Sequence, residues 1–231
     1  MQLQVASRIS RHFKITAVRK FETHTVFNQS NQLGYTDLNL YEVDPSLQIA
    51  INSFCPLLSA ECRSTLNRYG ALCGSKDLYE AADLAEKHRP SLRQFDIHGR
   101  RIDVIDYHNS YHQLMQHGIG NGSVAYGFVH ASDEYHSHTA RAAMIYMENM
   151  LEPGIKYITV CYQFYYSPML FIGHCCPLVM SCAAIPLLTR HSTELGNVLL
   201  NKIKAMKYDS RDIAIHEKEG ATVGMYTVVR K

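Results

Sequence analysis

The sequence lacks the short signatures that mark the commonest hydrolase and nucleotide chemistries. It has no G-x-S-x-G nucleophile elbow, no Walker phosphate loop and no G-x-G-x-x-G fingerprint. Gly118-Ile119-Gly120-Asn121-Gly122 is glycine-rich, but it follows a predicted helix instead of joining a strand to one, so it reads as a flexible connector. Charge of one sign is also lacking: the formal net charge is +2, and nothing calls for a polyanionic partner such as nucleic acid. The seven cysteines are odd in number and irregular in spacing, which points to reduced thiols and an intracellular compartment. No secretory signal is visible.

What is there suffices for a core. A chain of 231 residues with 46% hydrophobic content can bury one large or two small domains. Residues 1–22 stand apart as a basic leader, with Arg8, Arg11, Lys14, Arg19 and Lys20 and no acid before Glu22. That composition suits either a mitochondrial presequence or a disordered basic leader, so localisation is expected to be mitochondrial or cytoplasmic.

Beyond the leader the sequence predicts helices with one hairpin. Asp44-Pro45 is a helix start, followed by the apolar stripe Leu47, Ile49, Ala50 and Phe54. A second helix runs from about Leu57 toward Gly74, with Gly74 in a left-handed terminal position. Ser75 caps a third, Lys76–His88. Between Leu92 and Tyr107 the period changes to two, with a turn at His98-Gly99. Further helices are expected at Asn109–His117, Glu134–Leu151, Pro177–Arg190 and Glu194–Met206. Ala140, Ala143, Met144, Met147 and Met150 or Leu151 share one apolar face. Asp212–His216 and Ala221–Val229 read as strands around a Glu217–Gly220 turn, so a β segment is expected to begin at about residue 208.

Thirteen histidines invite a search for metal ligands. His108 and His112 have an i,i+4 spacing that suits zinc, but the sequence names no third ligand, and His174-Cys175-Cys176 sits at a helix start where small apolar residues pack. No metal ligand is assigned, and surface or core roles are the default for these side chains. Arg100-Arg101 and Arg141 read as a hairpin turn and a solvated or ion-paired helix face.

A set of motifs in fixed order carries more. These are Thr23–Gln29, Asn39-Leu40-Tyr41, the block Phe95-Asp96 to Met115, Arg141-Ala142-Ala143, Cys176-Pro177-Leu178-Val179-Met180 and Ala183-Ala184 with Pro186-Leu187-Leu188. Together, over roughly residues 23–225, they resemble the N-terminal helical region of the AidB-like branch of the acyl-CoA dehydrogenase family. The resemblance implies a mainly α fold: an acyl-CoA dehydrogenase-type helical domain at 23–207, a small β-hairpin, and an incomplete β segment at 208–231. It also implies oxidation of the Cα–Cβ bond of an acyl thioester, FAD as the family's cofactor, an acyl-CoA or fatty acyl ligand and a homo-oligomer. It implies no metal, no nucleic acid partner for this region and no membrane span.

In such enzymes this domain forms one wall of the acyl pocket, and the matching stretch makes Val179, Met180, Ser181 and Ala184 the candidate wall residues. The family has threonine where Ser181 stands here. The flavin-holding loop, Met-Thr-Glu-Lys-x-Gly-Gly-Ser-Asp, would follow Val223-Gly224-Met225, where this sequence reads Tyr226–Lys231 instead. The catalytic base belongs to a further helical domain. The expectation is therefore a truncated form that retains no FAD, with no catalytic or cofactor-binding residue assigned. The alternative is a non-catalytic acyl-chain or partner-binding helical module.

Residues 155–173, IKYITVCYQFYYSPMLFIG, interrupt the resemblance. Lys156, Gln163, Ser167, Pro168 and four tyrosines make a poor membrane span. A strand-rich insertion fits the β-branched and aromatic content. A segment translated from a retained intron is favoured, because it has no acidic residue and falls at a helix end.

Overall fold

The computed structural model describes residues 37–130, 134–151, 173–191 and 193–224. The chain divides into a unit Met1–Gly34 and a unit Tyr35–Lys231, and every described residue belongs to the second. The basic leader 1–22, residues 155–172 of the interruption 155–173 and the tail 225–231 lie outside the described residues.

Local chemistry sets most helix ends. The short α1 (Leu40–Val43) starts where the Asn39 side chain accepts the Tyr41 N–H. At α2 (Pro45–Phe54), Asp44 Oδ1 accepts the N–H of Ser46 at 2.8 Å and of Leu47 at 3.1 Å, with proline at the first position as expected. α3 (Ala60–Cys73) begins later than the apolar pattern suggested, because Ser59 Oγ accepts the Cys62 N–H and fixes the start there. α4 (Lys76–Lys87) follows directly.

Two expectations about the α3–α4 junction change. Gly74 is not left-handed; its φ is −84°. Glycine is required there for space, since a Cβ would stand 1.5 Å from the Leu38 carbonyl oxygen. Nor does Ser75 cap α4 with its side chain. Asp37 does so from across the chain, its Oδ1 accepting the Lys76 N–H at 3.0 Å while its own N–H donates to Gly74 O at 2.7 Å.

β1 (Ser91–Phe95) and β2 (Arg101–Asp106) pair antiparallel, Ser91 opposite Asp106 and Leu92 opposite Ile105, with an irregularity between Arg93 and Phe95. Gly99, at φ +76°, makes the turn, and Asp96 Oδ1 accepts the N–H of both His98 and Arg100 at 2.8 Å. Arg100 and Arg101 sit at this exposed turn, Arg101 paired with Asp103 at 2.6 Å.

α5 (Asn109–Gly120), α6 (Tyr126–Val129), α7 (Glu134–Asn149), α8 (Cys175–Arg190) and α9 (Glu194–Lys204) complete the unit. α3 packs on α7, α4 on α5, α6 on α7 and α8 on α9. The expected stripe of α7 is the buried one, with Ala140, Ala143, Met144, Met147 and Leu151 all inside. Two apolar clusters result: Leu66, Tyr69, Cys73 and Leu114 with the α7 stripe, and Met115, Ile119, Leu178, Ile185 and Ile203 around α8 and α9. α5 feeds both, through adjacent residues Leu114 and Met115 on different sides of its axis.

The residues after α9 hold no strand ladder through residue 224, and their turn falls at Ile215–Glu217. In place of a partner strand they use side chains of α8, α9 and the segment itself. Lys202 Nζ donates to the carbonyls of His216 and Lys218, Lys207 pairs with Glu219 at 3.0 Å, and the Val223 N–H donates to Ser181 Oγ at 2.9 Å. The carbonyls of His216 and Lys218 and the N–H of Val223 are thus satisfied by side chains.

Candidate functional site

The seam between the two clusters holds a buried polar network. Glu148, the next-to-last residue of α7, is fully buried. Tyr69 of α3 donates its hydroxyl to Glu148 Oε2. His117 of α5 places Nδ1 3.2 Å from the same oxygen, and His174, just before α8, places Nε2 3.3 Å from Oε1. The Cys73 thiol points to Oε2 from 4.0 Å. Burial works against the charged carboxyl, but the hydrogen bonds and charges of His117 and His174 outweigh it and hold Glu148 down at about 2. Burial together with the Glu148 charge pushes the Tyr69 hydroxyl and the Cys73 thiol well up. The network is therefore one carboxylate held by neutral hydroxyl and thiol groups and two imidazoles. His117 Nε2 meets no partner among the described residues, and Nδ1 is the ring nitrogen that faces the carboxylate.

Gly118 is part of this seam. The glycine-rich stretch is not a loose connector: Gly118 and Gly120 lie in the last turn of α5, and a Cβ on Gly118 would come within 2.8 Å of Leu178 Cδ1 and 3.2 Å of Glu148 Oε1. The missing side chain lets α5 approach α8 and the carboxylate.

The other flagged histidines do not converge. His108 caps α5, Nδ1 accepting the Ser110 N–H, and its ring stacks on His88. His112 instead reaches Tyr208, Nδ1 to hydroxyl 2.7 Å. In His174-Cys175-Cys176, the first two are buried and Cys176 is exposed. Arg141 is half-buried and donates to the Ser123 carbonyl at 3.4 Å.

The four candidate wall residues fall on two sides of α8. Val179 is 47% exposed and Met180 partly exposed, whereas Ser181 and Ala184 are buried. The Ser181 hydroxyl is occupied by the Val223 N–H. A cavity of about 140 Å³ lies between Ile119 and the segment after α9, lined by Lys207, Tyr208, Ile213, Ile215 and Lys218. That is below the roughly 300–1,000 Å³ of small-molecule sites, and it would not hold a flavin dinucleotide.

Sequence reading missed Glu148, although a signal existed. It sits four residues after Met144 and three before Leu151, so a charged group interrupts a face that is otherwise apolar. Its partners come from three other parts of the chain, and no spacing rule reaches them.

The sequence profile of the adaptive response protein AidB N-terminal domain matches residues 28–162 and 157–210. The two matches meet inside the interruption 155–173. "Putative acyl-CoA dehydrogenase AidB" of Escherichia coli (strain K12) is 27% identical over 207 residues, covering 89% of this chain and 33% of its own length. The chain thus spans about a third of the curated relative it matches. Among solved structures, Caenorhabditis elegans ACDH-11 in complex with C11-CoA superposes with a TM-score of 0.59 at 20% identity, covering 84% of this chain and 30% of that one. The apo form of Bd2924 gives 0.57 at 22% identity, over 77% and 32%. At these identities the superpositions show a common fold. Among the described residues no helix is long and apolar enough to cross a membrane.

Proposed function

We propose, because the chain belongs to the adaptive response protein AidB N-terminal domain family, that it forms the N-terminal helical wall of an acyl-CoA dehydrogenase-type flavoenzyme. The observation that carries this is the profile match, which runs from residue 28 to 210 and takes in α1 through α9. The substrate class is an acyl-CoA, whose Cα–Cβ bond the complete enzyme oxidises. ACDH-11, of the same fold, is known in complex with C11-CoA. Homo-oligomerisation belongs to the same reading.

FAD in that enzyme would accept the hydride. The residues present here do not fit it by themselves: the cavity beside Ile119 is too small, and Ser181 spends its hydroxyl on the backbone of Val223. This chain's share is the wall. In this reading Val179 and Met180, exposed and partly exposed on α8, touch the acyl chain, while the buried Ser181 and Ala184 support the helix from behind.

The 231-residue chain on its own is accordingly a non-catalytic helical module that retains no flavin. Absorbance of the purified protein in the flavin bands, with and without added FAD, tests this. The expected result is no bound flavin and no acyl-CoA oxidation with an artificial electron acceptor. Stoichiometric FAD would overturn it.

A further inference from the structure

The seam around Glu148 gathers the donor types of a transition-metal site. Cys73 Sγ, His117 Nδ1 and a Glu148 carboxylate oxygen all lie within 4.8 Å of one another. Sγ is 4.0 Å and Nδ1 3.2 Å from Oε2, and His174 Nε2 holds the other carboxylate oxygen, 3.3 Å from Oε1. In a tetrahedral zinc site, bonds of about 2.0–2.3 Å put neighbouring donor atoms roughly 3.3–3.7 Å apart. The shifts needed are side-chain movements of fractions of an ångström for the closest pairs. We propose that this seam binds one divalent transition metal of the zinc class, with Cys73 Sγ, His117 Nδ1 and Glu148 as its protein ligands.

Charge favours the assignment. A thiolate and a carboxylate neutralise a divalent cation, so the filled site carries no net charge into an apolar interior, where an unpaired charge is costly. Coordination balances simply. The Cys73 S–H bond breaks, a sulfur–metal bond forms and the proton leaves to solvent; a proton on His117 Nδ1 moves to Nε2 so that Nδ1 binds through its lone pair, any second proton leaves to solvent, and no electrons are transferred. Sulfur and nitrogen donors select zinc, cobalt or copper over calcium and magnesium, which take oxygen ligands.

The second shell is in place. Tyr69 holds the carboxylate oxygen that faces Cys73 and His117, the kind of outer contact that orients a ligand. All three donors are buried or nearly so, His117 being 9% exposed, so a bound ion would be shielded from bulk solvent. The ligands come from α3, α5 and α7, so a bound ion would tie these three helices together.

The test uses the full chain, stripped with a chelator and then titrated with zinc against a chromophoric competitor, and separately with cobalt. The expected results are one tight equivalent of zinc and a cobalt spectrum showing tetrahedral bands with a thiolate-to-metal charge-transfer band. Cys73→Ser should lose that band and the tight zinc equivalent. His117→Gln should lose the tight equivalent, while Cys182→Ser, a buried cysteine outside the cluster, should keep both. Folded protein that takes up no zinc, a cobalt spectrum without sulfur ligation, or unchanged binding in Cys73→Ser would each overturn the proposal. The wild-type spectra decide even where a variant fails to fold.

Discussion

Glu148 near the end of α7 and His174 before α8 lie 3.3 Å apart, carboxylate to imidazole, although the whole of 155–173 separates them in sequence. The end of α7 and the start of α8 therefore lie side by side. Six residues after Glu148 reach Gly154, and an extended stretch of that length spans up to roughly 20 Å, more than a single ion pair requires.

Joining Gly154 directly to His174 should therefore leave the helical core intact. Soluble yield and thermal melting of the fusion and the full chain make the comparison. The fusion is expected to melt at the same temperature or higher, because an aromatic stretch with no acidic residue is removed. A clearly lower melting temperature would mean that 155–173 is a packed element.

Removing the carboxylate should be severe. Glu148→Ala strips two imidazoles and a tyrosine of their shared acceptor, and breaking a buried pair of this kind costs about 3–5 kcal/mol. Tyr69→Phe removes one hydroxyl and should cost about 1–3 kcal/mol. Urea unfolding measures both, and a loss below about 1 kcal/mol for Glu148→Ala would show that the carboxylate is not held as described.

Gly74→Ala places a methyl 1.5 Å from the Leu38 carbonyl, and backbone cannot swing aside as a side chain does. Overpacking of this kind costs about 1–3 kcal/mol or more. The strand of chain at Asp37 should be pushed off, exposing the Lys76 amide it caps. Faster hydrogen exchange at Lys76 is the specific sign, beyond a lower melting temperature.

The segment after α9 should show mixed protection. Amides at 212–215 have no ladder partner and should exchange fast, whereas Val223, bonded to Ser181, should be slow. Ser181→Ala should release Val223 alone. Uniform protection across 212–224 would reveal strand pairing after all.

Asp209 sets the pH response of that segment. Hydrogen bonding to the Arg211 side chain, with the Glu219 N–H also donating, holds its carboxyl well below the usual carboxylate range. A carboxyl depressed on folding adds stability at pH values above its unfolded pKa. That contribution is lost as pH falls toward the folded one. Protection of the Glu219 amide should thus persist at neutral pH and fade on acidification below the ordinary carboxylate range, and Asp209→Asn should remove it at neutral pH.

Local patterns told much of this in advance, for physical reasons. Asp44-Pro45 supplies its own acceptor and a pre-set φ, so α2 starts where the sequence places it. His98-Gly99 supplies the one positive φ its turn needs, and the methionine stripe of α7 follows from helical period alone. The order of motifs, Asn39-Leu40-Tyr41 through Ala183-Ala184, was enough to indicate the family, because order and spacing survive where identity is only 27%. Tertiary structure decided what depends on groups far apart in the chain. Asp37 caps α4 in place of the adjacent Ser75, and Gly74 answers to Leu38. Ser181 serves the backbone of Val223 while Val179 and Met180 face outward. Tyr69, Cys73, His117, Glu148 and His174 meet only because four elements bury their apolar faces together, and a buried carboxylate must find its partners wherever that packing brings them.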